Sequence, residues 1–291
     1  MRIRFLGTAA GGGLPQWNCA CTGCTAARRT RVGRTQDCLA ITGDGSAWYL
    51  VNASPDLRTQ LLHAPELVPG PGLRDTPLRG VLFTSAELDH TLGVLSLREA
   101  GSLSLYGTAC VRAALSGPFP AGPVLASYTT VTWHEMRPGE PSTVDGGLTV
   151  TAVTLGAKRP RYAAGLPGEE WVVAYRFVDP ATGGVLVYAP CLASWNDAFE
   201  AVIEGADAVV LDGTFLYDDE MTRETGVPGR PASSMGHLPI EASLGRIPAG
   251  TLFLYTHLNN TNPVARRGAP ELEWLKVAGA EVAGDGQLLE L

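Results

Sequence analysis

The sequence has no apolar run near the roughly 20 residues that a membrane-spanning helix needs. It also has no basic tract to offset its acidic balance: 29 Asp and Glu stand against 22 Lys and Arg, a formal net charge of −7, with a pI near 5.3. A transmembrane role is set aside, and neither nucleic acid nor an anionic membrane is the expected partner. Met1-Arg2-Ile3-Arg4-Phe5-Leu6-Gly7 enters a strand-like alternation without a charged segment, an apolar stretch and a cleavage site, so a cytoplasmic protein is expected. Internal repeats of roughly 20–50 residues, low-complexity tracts and long linkers are missing too. Residues 1–291, at 45% hydrophobic, are expected to fold as one domain around a sizeable core.

Cysteine is sparse but uneven. Of six, three fall in Asn18-Cys19-Ala20-Cys21-Thr22-Gly23-Cys24. In a chain of this length without an export signal, that spacing reads as metal ligands rather than disulfides. Three thiolates so close can wrap one tetrahedral zinc at ~2.3 Å, with Gly23 giving the backbone its freedom; three ordinary thiols on a loop are the bland alternative. Neighbouring residues offer no obvious fourth ligand. The preceding Gly7-Thr8-Ala9-Ala10-Gly11-Gly12-Gly13 permits close backbone approach but lacks the helix that a dinucleotide fingerprint would open.

Short strands and helices alternate through the rest. Cys38–Thr42 and Trp48–Val51 read as a hairpin, Leu57–Leu62 as a helix, and Gly80-Val81-Leu82-Phe83 as a buried strand. That strand runs into Thr84-Ser85-Ala86-Glu87-Leu88-Asp89-His90, placing two ligand-type side chains on a loop at a strand end. A helix with Leu92, Leu95 and Leu97 on its apolar side is expected next. Asp212 closes the strand from Ala208, His237 follows Met235-Gly236, and His257 follows the strand Thr251–Tyr255. All sit just past apolar runs, as a site at one edge of a β-sandwich would require. His63, His134, Cys38, Cys110 and Cys191 are taken as structural.

Strand-TSAELDHTLG followed late by strand-THL resembles the metallo-β-lactamase superfamily, whose loop carries HxHxDH. GTAAGGGLPQWNCACTGC, NASPDLRTQL, LDHTLGVLSLREA, VYAPCLA, VLDGTFLYDDEM, MGHLPI and THLNNTNP together resemble one branch, the protein B family of pyrroloquinoline quinone (PQQ) synthesis. The resemblance implies a four-layer αββα sandwich. It also implies a dismantled first metal site, because Ser85 and Glu87 stand where the first two histidines belong and Pro190 falls near an expected bridging aspartate. Asp89, His90 and His257 remain, and two histidines with one carboxylate match the ligand set of non-haem Fe(II) oxygenases. The family implies an Fe(II)- and O2-dependent hydroxylation of the tyrosine ring in a Glu–Tyr-derived PQQ precursor. A carrier of PQQ or its precursor and a mononuclear zinc hydrolase are the alternative expectations.

By the same resemblance His237 moves protons or orients an oxygen species, a core or turn histidine being the alternative; Asp212 is expected to orient a ligand histidine through its other ring nitrogen, or else to cap backbone amides at the strand end. A related phosphonate-pathway branch closes a three-cysteine zinc with a histidine three residues past the last metal-binding histidine. Asn260 stands there, and either it or a neighbour completes the structural Zn2+ through oxygen, or water does. A polycarboxylate precursor calls for cationic partners, for which Lys158, Arg159, Arg161, Arg58 and Arg98 are candidates. A homodimer is left open.

Overall fold

The computed structural model describes residues 1–291. Six strands, β1 (Arg2–Gly7), β2 (Cys38–Thr42), β3 (Trp48–Val51), β4 (Leu78–Leu82), β5 (Ser102–Gly107) and β6 (Thr130–Glu135), form most of one sheet. Seven more, β7 (Pro141–Thr143), β8 (Thr149–Gly156), β9 (Val172–Val178), β10 (Val185–Ala189), β11 (Ala208–Asp212), β12 (Leu252–Thr256) and β13 (Ala280–Val282), form the other. The last strand, β14 (Leu288–Glu290), returns to the edge of the first sheet, so the orders are β14-β1-β2-β3-β4-β5-β6 and β13-β12-β11-β10-β9-β8-β7.

Both sheets follow one plan. Antiparallel neighbours β1-β2-β3 give way to parallel β3-β4-β5-β6, and antiparallel β8-β9-β10 to parallel β10-β11-β12-β13. Parallel neighbours need crossovers, and these are helical: Leu57–Leu62 before β4, Asp197–Ile203 before β11, Glu271–Val277 before β13. The two halves thus share a strand plan that leaves no repeat legible in the sequence.

Side-chain alternation builds three cores. Successive residues point to opposite faces, so Leu82, Val210 and Leu254 meet Tyr49, Tyr175 and Phe177 between the sheets. Val81 with Trp48 and Phe83 packs outward under Leu57, Val111 and Leu125. Val209 with Val187 and Phe253 packs outward under Phe199 and Leu275. Each such buried side chain contributes about 1.5–3 kcal/mol. The result is the four-layer αββα sandwich that the sequence leads one to expect. Central strands covered on both faces, such as β10, β11 and β12, read as continuous apolar runs for this reason. No helix is long and apolar enough to cross a membrane.

Two local expectations change. The helix after Asp89 is one α-turn, Leu88–Thr91, followed by a 3-10 helix, Leu92–Leu97; Leu92 is exposed, and Val94 with Leu97 makes its buried side. The cysteine cluster runs into a helix, Thr22–Thr30, whose N-cap is Cys21. Its polar sequence carries little hydrophobic signal.

Candidate functional site

The parallel strands β3, β4, β10, β11 and β12 end on the same side of the sandwich, where α/β sheets usually place ligands. From those ends come Asn52, the Thr84–His90 loop, Cys191, Asp212 with Thr214, and His257. His257 adopts a left-handed backbone, φ 57°, as does Asn52, φ 66°. Such geometry costs a non-glycine residue of order 1–3 kcal/mol and persists only where the surroundings hold it. Here Leu258 N–H donates to Thr8 O at 2.9 Å, Ala10 N–H to Leu258 O at 2.8 Å, and Asn259 N–H to Thr214 O at 3.0 Å.

Hydroxyl and carboxylate partners set the tautomers of three histidines. Thr214 Oγ1 lies 2.6 Å from Asp212 Oδ1 and 2.8 Å from His257 Nδ1. A carboxylate only accepts, so the hydroxyl gives its hydrogen to Asp212 and accepts from His257 Nδ1–H. His237 Nδ1–H donates to Asp212 Oδ2 at 2.8 Å. Thr84 Oγ1 gives its hydrogen to Asn52 Oδ1 at 3.0 Å and so accepts from His90 Nδ1–H at 3.2 Å, with Ser85 Oγ 2.8 Å from the same nitrogen. Asn52 Nδ2–H in turn donates to Asp37 Oδ2 at 3.3 Å. All three rings therefore turn Nε2 toward the cavity, where that of His257 meets Asp89 Oδ2. Asp212 reaches His237 directly and His257 only through Thr214, which corrects the expectation of direct contact with a ligand histidine; the intervening Thr214 has no sequence signature.

His90 Nε2 is buried and has no hydrogen-bond partner. Its environment suits a lone pair: burial lowers the His90 pKa, against the pull of Asp89. The His90 and His257 rings are 5.3 Å apart between centroids. Asp89 Oδ2 is 3.2 Å from His257 Nε2. Burial works against an ionised Asp89, but His90 and His257 outweigh it and hold the carboxyl below its ordinary range. Burial likewise disfavours the His257 cation, yet Asp89, Asp37 and Asp212 raise its pKa to about 9. Asp212 is lowered, His237 and His257 overcoming its burial. An orphaned imidazole nitrogen, a second imidazole and an ionised carboxylate fit a divalent cation.

One cysteine taken as structural also arrives here. Cys191 Sγ and ring nitrogens of His90 and His257 lie within 4.8 Å of one another, as do ligand atoms of Asp212, His237 and His257. The second set is tied by hydrogen bonds through Thr214 and Asp212. The first set closes mutually around His90 and His257, and Asp89 with the two histidines does not. Burial, then Asp212, Asp89 and Asp37, raise the Cys191 pKa well above its ordinary value and keep the thiol protonated. Position 191 follows the Pro190 that stands near the expected bridging aspartate, and that was its only sequence signal.

The knuckle forms a second centre. Cys19, Cys21 and Cys24 bring their sulfurs within 4.8 Å of one another, and Asn260 Nδ2 lies 3.2, 3.4 and 3.4 Å from them. A tetrahedral zinc ~2.3 Å from three sulfurs and ~2.1 Å from an oxygen sets that oxygen ~3.6 Å from each sulfur. The amide thus stands near the fourth vertex, and turning it over presents Oδ1 there. Gly23 is required, because a Cβ would come within 2.4 Å of Asn260 O.

A cavity of about 770 Å3 opens above the histidines, lined by Gly11, Gly12, Glu87, Asp89, His90, Cys191, His237 and His257 among others. Lys158, Arg159 and Arg161 line it as well, with Arg230, which sequence reasoning missed. Arg159 is partly committed to Leu166 O and the face of Trp171, and Lys158 donates to Met235 O. Arg58 and Arg98 do not reach it. Arg58 is on the exposed side of a helix that buries Leu57 and Gln60, and Arg98 is exposed and paired with Glu99. Burial and Asp89 raise the Glu87 pKa.

The sandwich and this strand-end site are those of a metallo-β-lactamase-type protein, and the β-lactamase superfamily domain matches residues 47–250. The chain is 41% identical to coenzyme PQQ synthesis protein B of Cupriavidus necator, covering 99% of both. To the same protein of Azoarcus sp. it is 39% identical over 100% of both chains. The crystal structure of Zn2+-bound PqqB from Methylobacterium extorquens superposes with a TM-score of 0.89 at 35% identity, again over 100% of both. The chain belongs to the coenzyme PQQ synthesis protein B family.

Proposed function

We propose that the chain is a cytoplasmic Fe(II)- and O2-dependent hydroxylase acting on the tyrosine ring of a Glu–Tyr-derived precursor of PQQ. The observation that carries this reading is the buried, unpartnered Nε2 of His90 facing His257, in a loop where Ser85 and Glu87 replace the other two histidines. One iron held by Asp89, His90 and His257 would keep positions open for O2 and substrate. Hydrolysis by a two-metal clamp loses its support with the missing ligands.

The chain's own residues have separable tasks. Asp212 and Thr214 hold His257, and Ser85 and Thr84 hold His90, so both rings present Nε2 without searching rotamers. His237, its Nδ1 proton committed to Asp212, has Nε2 left to take or return a proton at a substrate phenol. Lys158, Arg159 and Arg161 offer the cavity rim to carboxylates. At the knuckle, Cys19, Cys21, Cys24 and Asn260 would hold a structural Zn2+ that pins the loop carrying His257.

A mononuclear zinc hydrolase is the second reading, favoured by the thiol of Cys191 among the histidines. Isotopically labelled O2 separates the two. Protein loaded anaerobically with Fe(II) and given a Glu–Tyr-derived peptide, reductant and labelled O2 is expected to add labelled oxygen to the ring, read by mass spectrometry. No labelled product while iron is bound would reject the hydroxylase.

A further inference from the structure

The backbone next to Cys191 is fixed through both polar groups of Leu192. Leu192 N–H donates to Asp212 Oδ2 at 2.8 Å, and Leu238 N–H donates to Leu192 O at 2.6 Å. The carboxylate that anchors His237, and through Thr214 His257, therefore also anchors the backbone beside this thiol. Cys38 and Cys110 differ, since their sulfurs donate to Asn52 O and Pro167 O. Cys191 Sγ has no such partner and opens onto the cavity.

The independent sign of a ligand is His90. Its Nε2 is fully buried and unpartnered, its Nδ1 is committed to Thr84 and Ser85, and a ring nitrogen lies within 4.8 Å of Cys191 Sγ and a His257 nitrogen. Asp89 stands outside that mutual set, its Oδ2 against His257 and 3.1 Å from where a Cβ on Gly11 would lie.

We infer that Cys191 is a thiolate ligand of the metal held by His90 and His257, and that it biases this centre toward zinc over iron. The inference rests on the metal-binding part of the proposed function and not on hydroxylation. A soft sulfur joins two imidazoles, and thiolate favours zinc over Fe(II) more than a carboxylate does. On binding, the thiol proton leaves to solvent and sulfur donates its pair to the cation; no electron is transferred.

The test keeps zinc in the knuckle and titrates Co(II) into wild type and Cys191→Ser. Wild type is expected to gain a near-ultraviolet sulfur-to-cobalt band that the variant lacks, while the variant binds Co(II) at least about tenfold more weakly. The zinc-over-Fe(II) preference is expected to fall by a similar factor. Bound Co(II) with the same sulfur-free spectrum in both would overturn the inference and leave the metal site standing. No Co(II) bound while zinc fills the knuckle would overturn both. Alkylation of wild type, mapped by mass spectrometry, needs no variant: added metal is expected to protect Cys191, and an unchanged rate would reject its ligation.

Discussion

Ser85 Oγ lies 2.8 Å from Nδ1 of His90. The residue standing where the superfamily loop has its first histidine therefore braces the histidine that remains. Thr84, one position earlier, braces the same nitrogen and ties it through Asn52 to Asp37. On this loop, the residue that takes a superfamily histidine's place is also one that holds His90.

Thr214→Val tests the other brace. It keeps side-chain volume but removes the hydroxyl shared by Asp212, His257 and His237. Metal affinity at the strand-end site is expected to fall roughly 10–100-fold while one zinc per chain stays in the knuckle. Metal titration with elemental analysis measures both, and unchanged affinity would mean that the relay does not position His257.

Asn260 is open to gain as well as loss. Asn260→His supplies an imidazole near the vertex the amide now occupies and is expected to slow zinc loss to a chelator; Asn260→Ala is expected to speed it. Equal chelation rates across the three proteins would place the fourth ligand elsewhere.

The basic rim predicts a charge effect without a chemical one. Arg161→Glu is expected to raise KM for an anionic substrate several-fold with kcat little changed, as removal of uniform binding does. Arg58→Ala and Arg98→Ala, both away from the cavity, serve as controls expected to match wild type. A kcat loss in Arg161→Glu with KM intact would contradict the assignment.

Glu220 gives stability a pH dependence. It is buried, and it accepts from Leu216 N–H and the Thr261 hydroxyl, both at 2.6 Å. Burial raises its pKa from 4.5 to about 7. The native state thus keeps a proton that the unfolded chain releases between those values, so stability falls as pH rises through that window. The difference is on the order of 3 kcal/mol. Glu220→Gln is expected to remove the loss, and denaturant unfolding of both proteins from pH 4 to pH 8 would show curves that diverge upward with pH, not parallel ones.

The sandwich was legible because strands buried on both faces must be continuous apolar runs, and β10, β11 and β12 are. Asp89, His90, Asp212 and His257 could be placed at strand ends by the same logic, since each interrupts such a run. Thr214 could not, because a hydroxyl that relays between a carboxylate and an imidazole looks like any other threonine until the tertiary fold brings them together. Cys191 was hidden for a related reason: about a hundred residues separate it from His90, and only the meeting of β10 with the opposing sheet's loop makes it a neighbour. Arg58 and Arg98 were misplaced because proximity in sequence to a site residue says nothing about which side of a helical turn a side chain takes.

One metal, not two, is expected at the strand-end site. Crystals of protein reconstituted anaerobically with Fe(II) and zinc, measured on either side of the iron absorption edge, locate it most directly. With zinc limited to one equivalent per chain, enough for the cysteine knuckle, a single iron peak bonded to Nε2 of both His90 and His257 is expected. Two metal peaks roughly 3.5–4 Å apart, the spacing of a two-metal hydrolase, or no peak at His90 Nε2, would contradict it.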